Sequence, residues 1–342
     1  MCDAPAMPAA APARTRRTLV PNKCVKCKSA QPRVAVRQIR YCKACFVQAS
    51  VTKFRTAQSK VHRPVGTKTM VAFSGGAASS AMLRLVVDFQ NAWRKGTDAE
   101  PPYAGLVIGH VDESALFPDV PEDAIRAEAA KTGLVCEIAT LEDAFALDTP
   151  VLATVARGSD TGSVYAQLVG PADGMSRKAR LAALFAGLGS ITDKEDMLEI
   201  IKTALIADMA RRSGCGAVLM GDSATRVAVR AMALTSRGRG FSLPLDVGAE
   251  AQWFGRMVVQ RPMREFLAKE IAFFNRWTGQ QDATVPGFAT GLPKSVSIGR
   301  LAEAFIVELD RDFASTVSTV CRTLQKLEPR EEARTARPCT LC

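Results

Sequence analysis

Along residues 1–20 the apolar positions follow no period, since Ala and Pro surround a basic cluster at Arg14, Arg16 and Arg17, and this composition predicts a disordered leader. The first periodic stretch is Val47 to His62, which reads as a linker helix carrying Lys53, Arg55, Lys60 and Arg63 beside Phe54, with Pro64 and Gly66 to stop it. At Thr69 the pattern switches to a continuous apolar run, TMVAF, which enters the glycine turn SGGAASS at 74–80 and then a helical stretch from Ala81. The order is strand, glycine loop, helix.

The same alternation repeats downstream. Strands are predicted at Ala104–Val111, Leu134–Ile138, Cys215–Met220 and Met257–Val259, and helices at Glu122–Thr132, near Leu141–Ala146, at Asp193–Arg212, after Gly221, at Pro262–Arg276 and at Leu301–Leu327. Such β-α-β-α order implies an α/β fold with a mostly parallel sheet covered on both faces. Residues 148–190 are rich in Gly, Ala and Ser, and RGRGF at 237–241 reads as an exposed basic turn. The expected organisation is a leader at 1–20, a zinc ribbon at 21–46, a basic linker helix at 47–66, an α/β domain at 67–300 and a C-terminal helix and tail at 301–342.

Charge separates these regions. The whole chain carries +11, but residues 1–70 hold 15 Lys or Arg against the single acid Asp3, a local +14, so the remainder is −3. A basic arm of this density suits a polyphosphate partner such as RNA, although a solvated tail would look the same. With 47% hydrophobic residues the core is ample, and no apolar run is long enough for a membrane span. Ten cysteines as CxxC pairs and singles suit a reducing compartment, so a cytoplasmic location is expected.

Within the arm, Cys24, Cys27, Cys42 and Cys45 form C-x2-C-x14-C-x2-C. Two pairs of thiolates returned by a hairpin over Gln31–Arg40 can close a tetrahedral zinc site; a redox dithiol is the other reading. In SGGAASS, Ser74, Gly75, Gly76, Ser79 and Ser80 could cradle a phosphate against the following helix, or simply make a tight turn. Cys136, Cys215 and Cys321 sit in apolar patterns and read as packing residues, and Cys339 with Cys342 supplies only half a metal site. His62 and His110 have no carboxylate or cysteine at a usable spacing in sequence.

The glycine loop resembles the SGG-x-D-S loop of the PP-loop ATP pyrophosphatases. Together with the ribbon, KEDMLEIIKTALI at 194–206, GDSATRVAVRAM at 221–232 and RPMREFLAKEIAFFNR at 261–276, it makes the chain similar to the cytoplasmic tRNA 2-thiolation protein 2 family over about residues 21–342. The resemblance implies an adenine-nucleotide alpha-hydrolase-like sheet and a cytosolic heterodimer with a catalytic paralogous subunit. That assembly acts on the wobble uridine (U34) of tRNAs for Lys, Glu and Gln, with sulfur delivered as the thiocarboxylate of a ubiquitin-related modifier.

Against the implied catalytic pattern, three features differ: the loop acid, the thiols and a second acidic loop. Ala78 replaces the loop acid, which weakens productive ATP use. No cysteine lies between Gly170 and Ala207, and Gln260 stands where a third cysteine would precede Arg261 and Pro262. GDSATR places Thr225 and Arg226 where carboxylates are expected. The expectation is a subunit with no catalytic residues of its own, structural Zn²⁺, uncertain ATP binding, and tRNA contacts drawn from Arg40, Lys43, Lys53, Arg55, Lys60, Arg63, Arg177, Lys178, Arg237 and Arg239. Arg211 with Arg212 is a further candidate, and Tyr41, Phe46 and Phe54 are candidates for stacking on bases. An ATP-dependent sulfurtransferase in its own right and a zinc-ribbon RNA-binding module are the alternatives.

Overall fold

The computed structural model describes residues 22–61, 66–96, 101–147, 174–253, 257–283, 285–313 and 315–328. The chain divides into two compact units, Met1–Phe46 and Val47–Cys342.

In the first unit, β1 (Val34–Val36) and β2 (Ile39–Tyr41) form an antiparallel hairpin. Its two turn residues, Arg37 and Gln38, both have positive φ, at 46° and 70°, as a two-residue hairpin turn of the right twist demands. Backbone bonds from Cys24 to Ala30 and from Lys28 to Cys24 shape the first CxxC into a knuckle. The second CxxC opens α1 (Lys43–Ser59), where the Phe46 amide bonds the Cys42 carbonyl at 2.9 Å. The helix therefore starts four residues before the Val47 that the apolar pattern indicated.

The second unit is built on a six-stranded sheet of β3 (Lys68–Ala72), β4 (Gly105–Asp112), β5 (Val135–Thr140), β6 (Cys215–Leu219), β7 (Glu250–Trp253) and β8 (Met257–Gln260). Its order is β5-β4-β3-β6-β8-β7, parallel throughout except for the antiparallel edge strand β7. Strand order reverses direction between β3 and β6, so the crevice beyond their carboxyl ends is the topological switch point where such sheets bind ligands.

Alternate residues of the strands face opposite layers. Met70, Val107, Val111, Val218 and Val259 pack with α4 (Arg177–Gly187) and α5 (Ile191–Arg212) through Leu181, Leu184, Ile201 and Leu205. On the other side α2 (Ala77–Gly96), α3 (Glu122–Ala130) and α8 (Ala268–Thr278) cover the sheet, with Phe89 of α2 meeting Phe54 of α1 edge-on at 6.1 Å. A separate core joins α6 (Ala224–Ser236) and α7 (Leu243–Val247) to α9 (Ile298–Asp312) and α10 (Thr316–Leu324).

Two elements differ from the sequence pattern for identifiable reasons. The helix expected from Pro262 begins only at Ala268, because 262–266 is folded into turns by Arg264, whose Nε donates to the Val247 carbonyl at 2.8 Å. The helix expected over Leu301–Leu327 breaks after Asp312: Phe313 leaves helical geometry (φ −130°, ψ 84°) and both the amide and the hydroxyl of Thr316 bond its carbonyl. The α4 helix and strand β7 had no sequence expectation.

Candidate metal centre and phosphate loop

The four thiols of the first unit converge. Ligand atoms of Cys24, Cys27, Cys42 and Cys45 all lie within 4.8 Å of one another, and Cys27 Sγ is 4.0 Å from Cys42 Sγ. A single tetrahedral ion at about 2.3 Å from each sulfur sets sulfur pairs about 3.8 Å apart, so this spacing fits one ion. A four-iron cubane would hold its thiolates wider apart. The electrostatics point the same way. The Ser29 hydroxyl, followed by the amides of Ala30 and Ser29, draws the Cys27 thiol down to about 5. Cys45 is pushed up to about 12, first by its hydrogen bond with Cys42 and then by burial and the other sulfurs. Burial opposes ionisation of Cys24, but amides of Cys27, Cys42 and Lys26 outweigh it and lower its value. Four thiolates at this distance thus need a cation before all can ionise, and the donor set fits a closed metal site.

At the switch point, Ser74, Gly75 and Gly76 link β3 to α2. Gly75 has φ +76°, and a Cβ there would lie 2.5 Å from Ile125 Cγ1, so conformation and space both require glycine. The hydroxyls of Ser79 and Ser80 turn inward to the carbonyls of Gly76 (2.9 Å) and Gly75 (3.3 Å). They brace the loop and are buried; Ser74 Oγ, 3.3 Å from Ser79 Oγ, belongs to an exposed residue. The 20-residue helix behind leaves its first amides without intrahelical partners, which gives the loop an anion-accepting end. Asn275 fixes the Ala77 carbonyl at 2.9 Å, and Gly221 at the end of β6 lets that strand approach the Ser79 backbone.

Across the crevice the chain places structural charge. Arg261, 3% exposed, pairs with Asp222 at 3.1 Å and donates to the Gly248 carbonyl at 3.0 Å. Arg230 bridges Glu199 at 2.6 Å and Asp246 at 3.4 Å, and its charge holds the Glu199 carboxyl down at about 2. His110 does have a carboxylate partner, contrary to its sequence context: Glu122 of α3 reaches it across the turn that follows β4.

The basic candidates fall into different classes. Arg40, Lys43, Arg55 and Lys178 are exposed. Lys60 is exposed with Glu265 at 4.0 Å, and Arg177 with Asp143 at 3.7 Å. Lys53 instead points inward, to both oxygens of buried Glu270 at 2.9 Å and over the Phe266 ring, so it is a packing charge. Arg237 is bound to Asp196 and the Ala233 carbonyl, and Arg239 lies 4.0 Å from Asp196. Arg211 and Arg212 both engage Asp208. Phe46 and Phe54, at 2% and 1% exposure, are core residues that no base can reach, and Tyr41 lies edge-on to Phe46. Cys215 and Cys321 are buried, as packing residues should be. Arg63, His62, Cys339, Cys342 and the leader arginines lie outside the described residues.

The family model of cytoplasmic tRNA 2-thiolation protein 2 matches residues 297–342. The Bos taurus protein of that name is 34% identical, over 94% of this chain and 71% of the relative. The chain belongs to the cytoplasmic tRNA 2-thiolation protein 2 family. The Homo sapiens member is 33% identical over 95% of this chain and 70% of its own length. Among solved structures, the U34-tRNA thiolase NcsA from Methanococcus maripaludis, with its 4Fe-4S cluster, superimposes with a TM-score of 0.60 at 15% identity, covering 91% of this chain and 89% of that one. That likeness places the second unit in the PP-loop fold.

Ala78, Gln260 and Thr225, where the resemblance implies other residues, occupy built structure. Ala78 is the second residue of α2, half-buried. Gln260 is 1% exposed at the end of β8, where its carbonyl accepts from Met220. Thr225 Oγ1 accepts from the Ala268 amide at 3.3 Å and so ties α6 to α8.

Proposed function

We propose that this chain is the non-catalysing subunit of a cytoplasmic heterodimer that 2-thiolates U34 in tRNAs for Lys, Glu and Gln. Its partner is the catalytic paralogue, and sulfur arrives from a thiocarboxylated ubiquitin-related modifier. The observation that carries the reading is the crevice at the switch point. It keeps the glycine loop but has Ala78 in place of an acid and Gln260 packed where a thiol would stand, while Arg261 is spent on Asp222. Family membership and the fold shared with a U34-tRNA thiolase support the tRNA assignment.

The ribbon is the working part of this proposal. Cys24, Cys27, Cys42 and Cys45 hold Zn²⁺ as a structural ion, which joins the two knuckles and leaves no coordination position open. Residues 22–46 carry Lys23, Lys26, Lys28, Arg33, Arg37, Arg40 and Lys43 with no acid. A four-thiolate zinc site subtracts two charges and still leaves a cationic surface for the phosphate backbone. Arg55 and Lys178 are further candidate contacts, while Lys53 is withdrawn by buried Glu270 and Arg237 by its ion pair with Asp196. The Ser74–Gly76 loop can accept a phosphate at the α2 amides, and with Ala78 in place of the loop acid it serves binding rather than transfer.

Affinity purification of the full chain from cytosol tests the assembly. Recovery of the paralogous thiolase subunit together with tRNA is expected; recovery of tRNA without any paralogue would favour a free-standing RNA-binding module.

A further inference from the structure

At the base of the phosphate loop one histidine has both ring nitrogens committed. His110 of β4, 3% exposed, places Nδ1 2.8 Å from the Phe73 carbonyl and Nε2 2.8 Å from Glu122 Oε2. A carbonyl only accepts, so Nδ1 carries a hydrogen. Nε2 and the carboxylate would then meet lone pair to lone pair unless one more proton lies between them.

We propose that a second hydrogen, besides the one on Nδ1, lies between His110 Nε2 and the Glu122 carboxylate, and that the two act as positioning residues, a strut that fixes the Phe73 carbonyl and with it the start of the phosphate loop. Whether the proton rests on Nε2 or on the carboxyl, the pair is neutral as a unit. The competing arrangement, a neutral ring with its hydrogen on Nε2, turns the Nδ1 lone pair onto the Phe73 oxygen at 2.8 Å. Phe73 is held at its other end too, its amide donating to the Gly109 carbonyl at 2.9 Å.

Glu122 Oε1 is buried with no hydrogen-bond partner among the described residues. Arg126 Nε stands 4.0 Å from Glu122 Oε2, while its Nη2 is given to Asp112 Oδ2 at 2.6 Å, and Asp112 also accepts from the Ser114 amide. Glu113, next on the chain, pairs with Lys202 of α5. Just beyond β3, the Phe73 carbonyl faces the histidine. The same turn of α3 also presses Ile125 against Gly75, so α3 sets the loop from two sides. The inference rests on this geometry alone and holds whether or not the loop takes a phosphate.

His62 and His110 are the only histidines in the chain, so His62→Gln leaves a single imidazole to observe. In that background, ¹⁵N shifts of the ring and the ¹³C shift of the Glu122 carboxyl, assigned against Glu122→Gln, count the protons at pH 7. The expected result is Nδ1–H plus one proton on Nε2 or the carboxyl. An ionised carboxylate beside a neutral ring would overturn the proposal. Glu122→Gln can donate an amide hydrogen to Nε2, so it should leave a neutral Nδ1–H ring and unchanged hydrogen exchange over residues 73–80. Glu122→Leu fills similar volume without the bond and should speed exchange there about tenfold, the scale of one lost buried hydrogen bond. Equal protection in the two variants would mean that packing alone holds the loop and would also overturn the strut.

Discussion

Replacing Gly75 by Ala tests the loop geometry most severely. Two costs combine: a side chain at φ +76° costs about 1–2 kcal/mol, and a Cβ 2.5 Å from Ile125 Cγ1 and 2.8 Å from Cδ1 adds an overpacking penalty of about 1–3 kcal/mol. Together they make about 2–5 kcal/mol, a large share of the stability of an ordinary domain. The neighbouring Gly76 is the control, because its φ is not in the left-handed region and a Cβ there meets only Ser74 Oγ at 3.6 Å. Urea titration should place Gly76→Ala within about 1 kcal/mol of the parent, on the ordinary scale of a mild substitution, and Gly75→Ala well below it. Ile125→Ala removes all three clashing carbons, so the double variant Gly75→Ala with Ile125→Ala should lose less than the sum of the singles by about 1–3 kcal/mol, leaving the backbone cost. Equal stability of the two glycine variants, or strict additivity in the cycle, would refute the close-approach argument.

Other expectations follow from the same structure. Replacing Cys24 and Cys27 with Ser should release about one zinc per chain, read by elemental analysis, and weaken tRNA retention as the ribbon loses its shape. Arg40→Gln and Lys43→Gln should each lower the slope of log affinity for tRNA against log salt by about one, whereas Lys53→Met should leave that slope unchanged and lower the melting temperature. Asp222→Asn removes the carboxylate paired with the buried Arg261 cation and should cost about 3–5 kcal/mol in urea unfolding. For pH, the Glu199 carboxyl sits at about 2 in the folded chain, below its unfolded value. Its contribution is therefore present above about pH 4.3 and lost as pH falls towards 2, so Glu199→Gln should flatten the acid limb of stability against pH.

Much of the fold was legible because its signals are local. The apolar runs at Thr69–Phe73 and Cys215–Met220 are buried parallel strands, and Ser190 with Asp193 forms the capping box that starts α5 two residues before the expected Asp193. The cysteine spacing gave the convergent quartet directly, since each knuckle closes within its own few residues. What the sequence concealed depends on distant partners. Lys53 looks like a surface cation on its helix and is drawn inward by buried Glu270, 217 positions away. Phe54 looks like a stacking platform and is core because Phe89 meets it. His110 takes its carboxylate partner, Glu122, from the next helix, and the break at Phe313 reflects a local hydroxyl bond that periodicity does not register.

In the proposed assembly this chain supports thiolation without performing it. The direct measurement is 2-thiouridine formation on tRNA for Lys, with ATP and a sulfide source, by the purified zinc-loaded chain alone and after addition of the paralogous subunit. No thiouridine from the chain alone, and formation with both subunits that falls when Arg40 and Lys43 are neutralised, is the expected result. Thiouridine from this chain without the paralogue would contradict the account.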